Sequence, residues 1–129
     1  MDLVGFTAED LDQVLRLCQR EGWPSLPSDP ARALRVLTCP GSTTVVAKDG
    51  KEVAGFCQVL SDGELQAYCP VLLVEPSRRG QGIGRSLLLA ALSRAGGERL
   101  DLLAESGAVA FYRGLRHQEW AGFRIYPPA

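Results

Sequence analysis

At 129 residues the chain has the size of one domain, and its 46% apolar content is enough for a core, which excludes wholesale disorder. Fourteen basic and fifteen acidic side chains leave a net charge of −1, with no basic excess to hold nucleic acid or an anionic membrane surface. Four cysteines without C-x-x-C spacing and a single histidine, His117, give no zinc-ligand pattern, so no metal is expected.

In chain order, Leu3 to Phe6 reads as a short strand, and Thr7-Ala8-Glu9-Asp10 as a helix start with Thr7 capping and acids in the first turn. Leu11, Val14, Leu15 and Cys18 recur at helical spacing until Gly22. Ser28-Asp29-Pro30 opens a second helix that runs to about Leu37 and is broken by Pro40-Gly41. Thr43 to Lys48 and Lys51 to Leu60 flank Asp49-Gly50, a strong hairpin signal. Ser61-Asp62-Gly63 then turns into a third strand, Glu64 to Val74. Its end, Val71 to Val74, is apolar without alternation, as in a strand covered on both faces.

A long helix with Ile83, Leu87, Leu88, Ala91 and Leu92 on one stripe ends at Gly96-Gly97. Arg99 to Ala104 reads as a strand that completes a right-handed βαβ crossover. Ser106 should cap a short helix bearing Val109, Phe111, Tyr112 and Leu115, and Glu119 to Tyr126 should close the sheet as a last strand. The expected fold is therefore α/β: an antiparallel meander followed by a βαβ crossover, a mixed sheet with helices on both faces, and one domain over residues 1–129.

The turn between the third strand and the long helix is basic and glycine-rich, and the helix begins without an acidic or hydroxyl cap. A helix N-terminus leaves about four N–H groups unpaired. Gly82 and Gly84 remove side chains that would shield them, and Arg78, Arg79 and Arg85 add charge to the helix dipole, so the turn suits a diphosphate. The dinucleotide spacing G-x-G-x-x-G fails, because its third glycine falls at Arg85 or Leu87. The P-loop spacing fails as well, since its first glycine falls at Arg79 and Arg85 replaces lysine. The pattern [QR]-x-x-G-x-[GA] is met at every fixed position by Arg79-Gly80-Gln81-Gly82-Ile83-Gly84. The competing plain reading is a tight strand-to-helix turn with solvated arginines.

With that hexapeptide after an apolar strand and before an amphipathic helix, the chain resembles the GNAT superfamily of N-acetyltransferases. About thirty residues downstream, Ala110-Phe111-Tyr112-Arg113-Gly114-Leu115 resembles the family's final motif, A-x-x-F-Y-x-x-x-G-F. The resemblance implies acetyl-CoA as co-substrate, its pyrophosphate on Arg79, Gly80, Gln81, Gly82, Ile83, Gly84, Arg85 and Ser86. It places the pantetheine arm along the strand edge at Leu72, Leu73 and Val74. It assigns Tyr112 as the acid that serves the departing thiolate. The sequence departs from the motif at Arg116-His117, where the family has Gly-Phe, and Trp120 is the candidate substitute for the missing aromatic.

Acetyl transfer also needs an acceptor pocket and a base. Tyr68, Glu64 and Glu105 are weak candidates, each with a plain alternative: Glu64 as a surface acid beside a turn, Glu105 as a residue ahead of the last helix, Tyr68 as a strand aromatic. His117 titrates near neutrality but reads as a solvated loop residue. The expected activity is direct transfer of acetyl from acetyl-CoA to a primary amine, on a small molecule or a peptide. The alternative is a module that binds coenzyme A without turnover. No nucleic-acid or membrane partner is expected, and the resemblance admits a homodimer. Asp2, Glu9 and Asp10 are wrong for a secretory leader, no apolar run approaches a membrane span of ~20 residues, and Cys18, Cys57 and Cys69 sit in apolar settings as free thiols, so a cytoplasmic location is expected.

Overall fold

The computed structural model describes residues 1–129. Five strands form one sheet: β1 (Asp2–Gly5), β2 (Ser42–Asp49), β3 (Glu52–Ser61), β4 (Gln66–Val74) and β5 (Arg99–Asp101), hydrogen-bonded in that spatial order. The first four are antiparallel to their neighbours, and β5 runs parallel to β4. Four helices pack around the sheet: α1 (Leu11–Glu21), α2 (Pro30–Thr38), α3 (Ile83–Ala95) and α4 (Val109–Arg113).

Each helix terminus has a local cause. Gly22 ends α1 in the left-handed region (φ 78°), where glycine pays no steric penalty. Asp29 caps α2 by accepting from the Arg32 amide at 3.1 Å. At the start of α1 the cap runs opposite to the expectation. The Thr7 amide donates to the Asp10 carboxylate at 2.9 Å within a 3-10 turn (Ala8–Asp10), and buried Asp10 also pairs with Lys48 Nζ at 2.6 Å. The β2–β3 hairpin turns on Gly50-Lys51 rather than Asp49-Gly50, because Asp49 pairs with Glu52 and Gly50 carries φ 62°. The Asp62 carboxylate accepts from the amides of Glu64 and Leu65 at 2.8 and 2.7 Å, which delays β4 until Gln66.

Two cores flank the sheet. On one face α3 covers Val45, Ala47, Cys57, Val59, Ala67 and Cys69 with Ile83, Leu87, Leu88 and Ala91. On the other, α1 and α2 cover Val46, Val53, Phe56 and Leu73 with Val14, Leu17, Cys18 and Leu37. Alternation along β4 reverses in its middle: Ala67 and Cys69 face α3, and so do Leu72 and Val74. The reversal lies where the β3–β4 register slips, between Gln58 and Leu60, opposite Cys69-Pro70. Pro70 has no N–H to give a ladder, so a bulge is the accommodating geometry.

The bulge limits β5. It pairs with β4 only through Gln66–Arg99, Ala67–Leu100 and Tyr68–Asp101, then loses its partner as β4 bends. The expected strand Arg99–Ala104 therefore stops at Asp101. Ser106 makes no cap; Glu105 stands at the N-cap of a 3-10 turn (Ser106–Ala108) that leads into α4. The expected strand Glu119–Tyr126 does not form, and every side chain from residue 116 to 129 is exposed. With β5 ended at Asp101, the tail finds no ladder to join. Trp120, 86% exposed, anchors nothing.

Candidate active site

Where β4 and β5 part, β4 keeps a free edge. The Glu75 amide donates to Ala54 O at 2.8 Å, so antiparallel alternation directs Leu73 and Val71 toward β3 and turns the N–H and C=O of Leu72 and Val74 away from it. Arg79 Nε takes the Val74 carbonyl at 3.1 Å. The Leu72 N–H and C=O and the Val74 N–H remain at the open edge. Leu73 is committed to β3, and its side chain lies in the α1–α2 core.

β4 runs into a 3-10 turn (Pro76–Arg78) and then the glycine loop. Gly80 and Gly82 both take left-handed φ, 80° and 83°, and a Cβ at either would meet nothing within 4 Å. The loop backbone is thus open to solvent. The amides of Gly80, Gln81, Gly82, Ile83, Gly84 and Arg85 have no acceptor in the protein. The Ser86 amide is the first one used, bonding Gly82 O at 3.1 Å. Such a run of donors at the positive end of a helix dipole is an anion cradle. The side chain of Ile83 is core, so only its amide belongs to the cradle, whereas Gln81, Arg85 and Ser86 are exposed.

Two features of this loop differ from the sequence expectation. Gly84 does not open a path to solvent: a Cβ there would lie 3.3 Å from Phe111 Cζ, so Gly84 is the notch that seats α4 on α3. Nor do all three arginines offer unpaired charge. Arg78 pairs with Asp49 at 2.9 Å, and Arg79 Nη2 lies 2.8 Å from both oxygens of Glu21. Glu21 ends α1 and Asp49 ends β2, so no local pattern announces either partner. Arg85 alone makes no ion pair.

Phe111 docking over Gly84 aims Tyr112 at the sheet, with the two rings 5.0 Å apart and edge-on at 78°. Tyr112 packs on the α3-side core beside Cys69 and Cys57. Burial first, and the two sulfurs second, push its phenol above the ordinary tyrosine range, so Tyr112 is protonated at neutral pH. The hydroxyl bonds no protein group and is not sealed from solvent. The two thiols lie 3.8 Å apart; their shared hydrogen bond and burial push Cys57 up. The apolar settings of Cys57 and Cys69 in the sequence predict buried free thiols, and only tertiary packing brings them to Tyr112.

The weaker candidates scatter. Tyr68 is half-buried on β4 at its last pairing with β5, on the face opposite α3. Glu64 lies in the Asp62 turn at the closed end of the β4–β5 pair, away from the open edge. Glu105 is exposed, and only its carbonyl is engaged, by Ala108 N at 2.8 Å. His117 is tied to Leu115 O at 2.6 Å and to Glu119 at 3.3 Å on the surface.

A family model described as an acetyltransferase (GNAT) domain matches residues 40–115, from the turn before β2 to the end of the Tyr112 motif. A histone acetyltransferase of Glycine max is 31% identical over 117 residues, covering 82% of this chain and 51% of that protein. The chain thus spans about half the length of the curated relatives it matches. A GNAT-family acetyltransferase of Streptococcus pneumoniae superposes with a TM-score of 0.77 at 26% identity, covering 99% of this chain and 98% of that one. An aminoglycoside N-acetyltransferase solved with coenzyme A shares the fold, with a TM-score of 0.79 at 17% identity over 98% and 93% of the two chains. With the splayed β4–β5 pair, the cradle of free amides and a model match over more than half its length, the chain belongs to the GNAT acetyltransferase family.

Proposed function

We propose that residues 1–129 form a single N-acetyltransferase domain that passes an acetyl group from acetyl-CoA directly to a primary amine. The observation that carries this reading is the run of free amides from Gly80 to Arg85 set beside the free edge of β4 at Leu72 and Val74. The cradle fits a pyrophosphate, because the positive φ at Gly80 and Gly82 turns donors outward and no side chain fills the space. The edge amides fit an extended pantetheine arm, which would add to β4 as a strand does. Bound there, the coenzyme supplies an activated thioester. The protein's part is to hold it, keep the reacting groups aligned and stabilise the leaving sulfur.

Tyr112 is assigned to that sulfur. A free thiol has a pKa of about 8.5, well below a phenol raised above about 10, so full proton transfer from Tyr112 to a thiolate runs uphill. Its role is therefore to donate a hydrogen bond to the developing thiolate, with solvent completing the transfer. Tyr68, on the face opposite the α3-side core, is kept in the proposal as a residue of the acceptor side. Glu64 and Glu105 stay outside the assignment of a base, since neither touches Tyr112 or the free edge. The acceptor is an amine on a small molecule or a peptide. One sequence relative is named as a histone acetyltransferase and two proteins of the same fold are named as aminoglycoside acetyltransferases, so both classes of acceptor stay in the proposal. The four free thiols suit a reducing compartment, and the cytoplasm is the location proposed. No helix is long and apolar enough to cross a membrane.

One observation favours a second reading, coenzyme binding without turnover: no carboxylate or histidine stands beside Tyr112 to serve as base. A melting scan with acetyl-CoA, followed by an amine panel read out as thiol release, separates the two. Acetyl-CoA at about a hundred times its Kd should raise Tm by about 5–10 °C. Absence of any shift at millimolar ligand sinks both readings. A shift without thiol release from any amine leaves only the binding module.

A further inference from the structure

Two of the four free thiols stand in contact. Cys57 on β3 and Cys69 on β4 bring their sulfurs to 3.8 Å in the α3-side core, so both side chains already converge. Cys18 lies in the opposite core and Cys39 ends α2, so neither belongs to the pair. The two partners are not held alike. Cys57 is fixed in register between Val45 on β2 and Leu72 on β4. Cys69 has a register partner on neither side: it falls in the gap of the β3–β4 ladder, and β5 stops pairing at Tyr68. What Cys69 touches bears on the transfer site. Its thiol donates to Val71 O at 3.5 Å, one residue before the free edge at Leu72. Tyr112 packs against the same core beside both sulfurs.

We propose that Cys57 and Cys69 are a redox switch on the coenzyme site: a peroxide joins them in a disulfide that distorts the free edge of β4, and a thiol reductant restores it. Cys69 is attacked first. It is 5% exposed against 0% for Cys57, and the hydrogen bond from Cys57 holds its thiol below the ordinary cysteine range. Its sulfur bonds one peroxide oxygen, the O–O bond breaks, and water leaves with the Cys69 proton, so Cys69 becomes a sulfenic acid. The Cys57 sulfur then bonds the Cys69 sulfur, the S–O bond breaks, and a second water leaves with the Cys57 proton. Two thiols lose two electrons, and one peroxide gains them. A disulfide holds its sulfurs at about 2.05 Å, so the pair closes by about 1.7 Å. The bulged strand yields, because β3 is laddered on both sides. Cys69 then draws Val71 and the edge at Leu72 with it and shifts the surface under Tyr112. A dithiol in a reducing compartment suits such transient oxidation. The switch rests on the reading of that edge as a coenzyme site, whereas the cross-link itself does not.

The test exposes the reduced chain, in a Cys39→Ser background, to millimolar hydrogen peroxide that catalase then removes. Trypsin releases residues 52–78 as one peptide that holds both cysteines and no other. Oxidation should lower its mass by about 2 Da, and dithiothreitol should restore it. Acetyl-CoA affinity, measured by calorimetry, should fall by about tenfold or more on oxidation and recover with the reductant. Cys69→Ala should keep its own untreated affinity through the same exposure. Should Cys69→Ala misfold, Cys57→Ala should form no cross-link and leave a dimedone-reactive sulfenic acid on Cys69. A chain that binds acetyl-CoA but forms no cross-link overturns the switch alone. So does a cross-link that leaves affinity unchanged, or a loss of affinity that Cys69→Ala shares. A reduced chain that does not bind acetyl-CoA overturns the site reading and the switch with it, whatever the peptide mass shows.

Discussion

The phenol of Tyr112 is raised by burial and left without a protein hydrogen-bond partner, a combination that keeps a donor available where a sulfur would leave. Tyr112→Phe removes that donor and little else. It should lower kcat by about 100-fold, with coenzyme affinity from calorimetry unchanged. Gly84 tests how the tyrosine is aimed. A methyl group there meets Phe111 at 3.3 Å, but Phe111 is 39% exposed and has room to give. Replacing glycine inside a helix gains up to about 1 kcal/mol. Gly84→Ala should thus leave stability within about 1 kcal/mol of wild type by urea melts, yet lower kcat, because α4 swings with Phe111. Adding Phe111→Leu should restore part of the rate.

At the scale of elements, the glycine loop works through its backbone, and its charges are largely spoken for. Gly82 holds φ 83° at the N-cap of α3, a conformation that a β-branched residue resists by about 1–3 kcal/mol. Gly82→Val should lower stability by about that amount and abolish the acetyl-CoA-induced rise in Tm. The arginines should not behave alike. Arg79 is neutralised by Glu21 and bonded to Val74 O, whereas Arg85 has no acid partner. Arg85→Ala should therefore weaken coenzyme binding several-fold more than Arg79→Ala does, measured by calorimetry at low salt. Reversal of that order would show that Arg79 trades Glu21 for the ligand. The loop was legible as a hexapeptide because donors, glycines and dipole are all local. The pairing of Arg79 with Glu21 was not, since it is made where the end of α1 meets the loop after β4, 58 residues along the chain.

Over the whole molecule, the two cores set a pH limit. Cys18, 1% exposed between α1 and the sheet, has its thiol pushed up to about 11 by burial, against 9.0 in an unfolded chain. A raised folded pKa gives stability that is complete below pH 9 and is lost as pH climbs toward 11, because the unfolded chain ionises first. The loss tends toward about 3 kcal/mol at most. Urea melts from pH 8 to 10.5 should show it, and Cys18→Ala should flatten the decline even though it lowers stability at pH 8. The sequence by itself determined the meander, the crossover, the long helix and the amide cradle, because each rests on periodicity, turn residues or a helix terminus that a few neighbouring residues specify. Tertiary structure alone decided where β5 stops, that Gly84 seats Phe111, that two cysteines border Tyr112 and that the tail stays off its own sheet. Each of these depends on the bulge at Cys69-Pro70 or on surfaces meeting from distant parts of the chain, and nearest-neighbour chemistry carries no record of either.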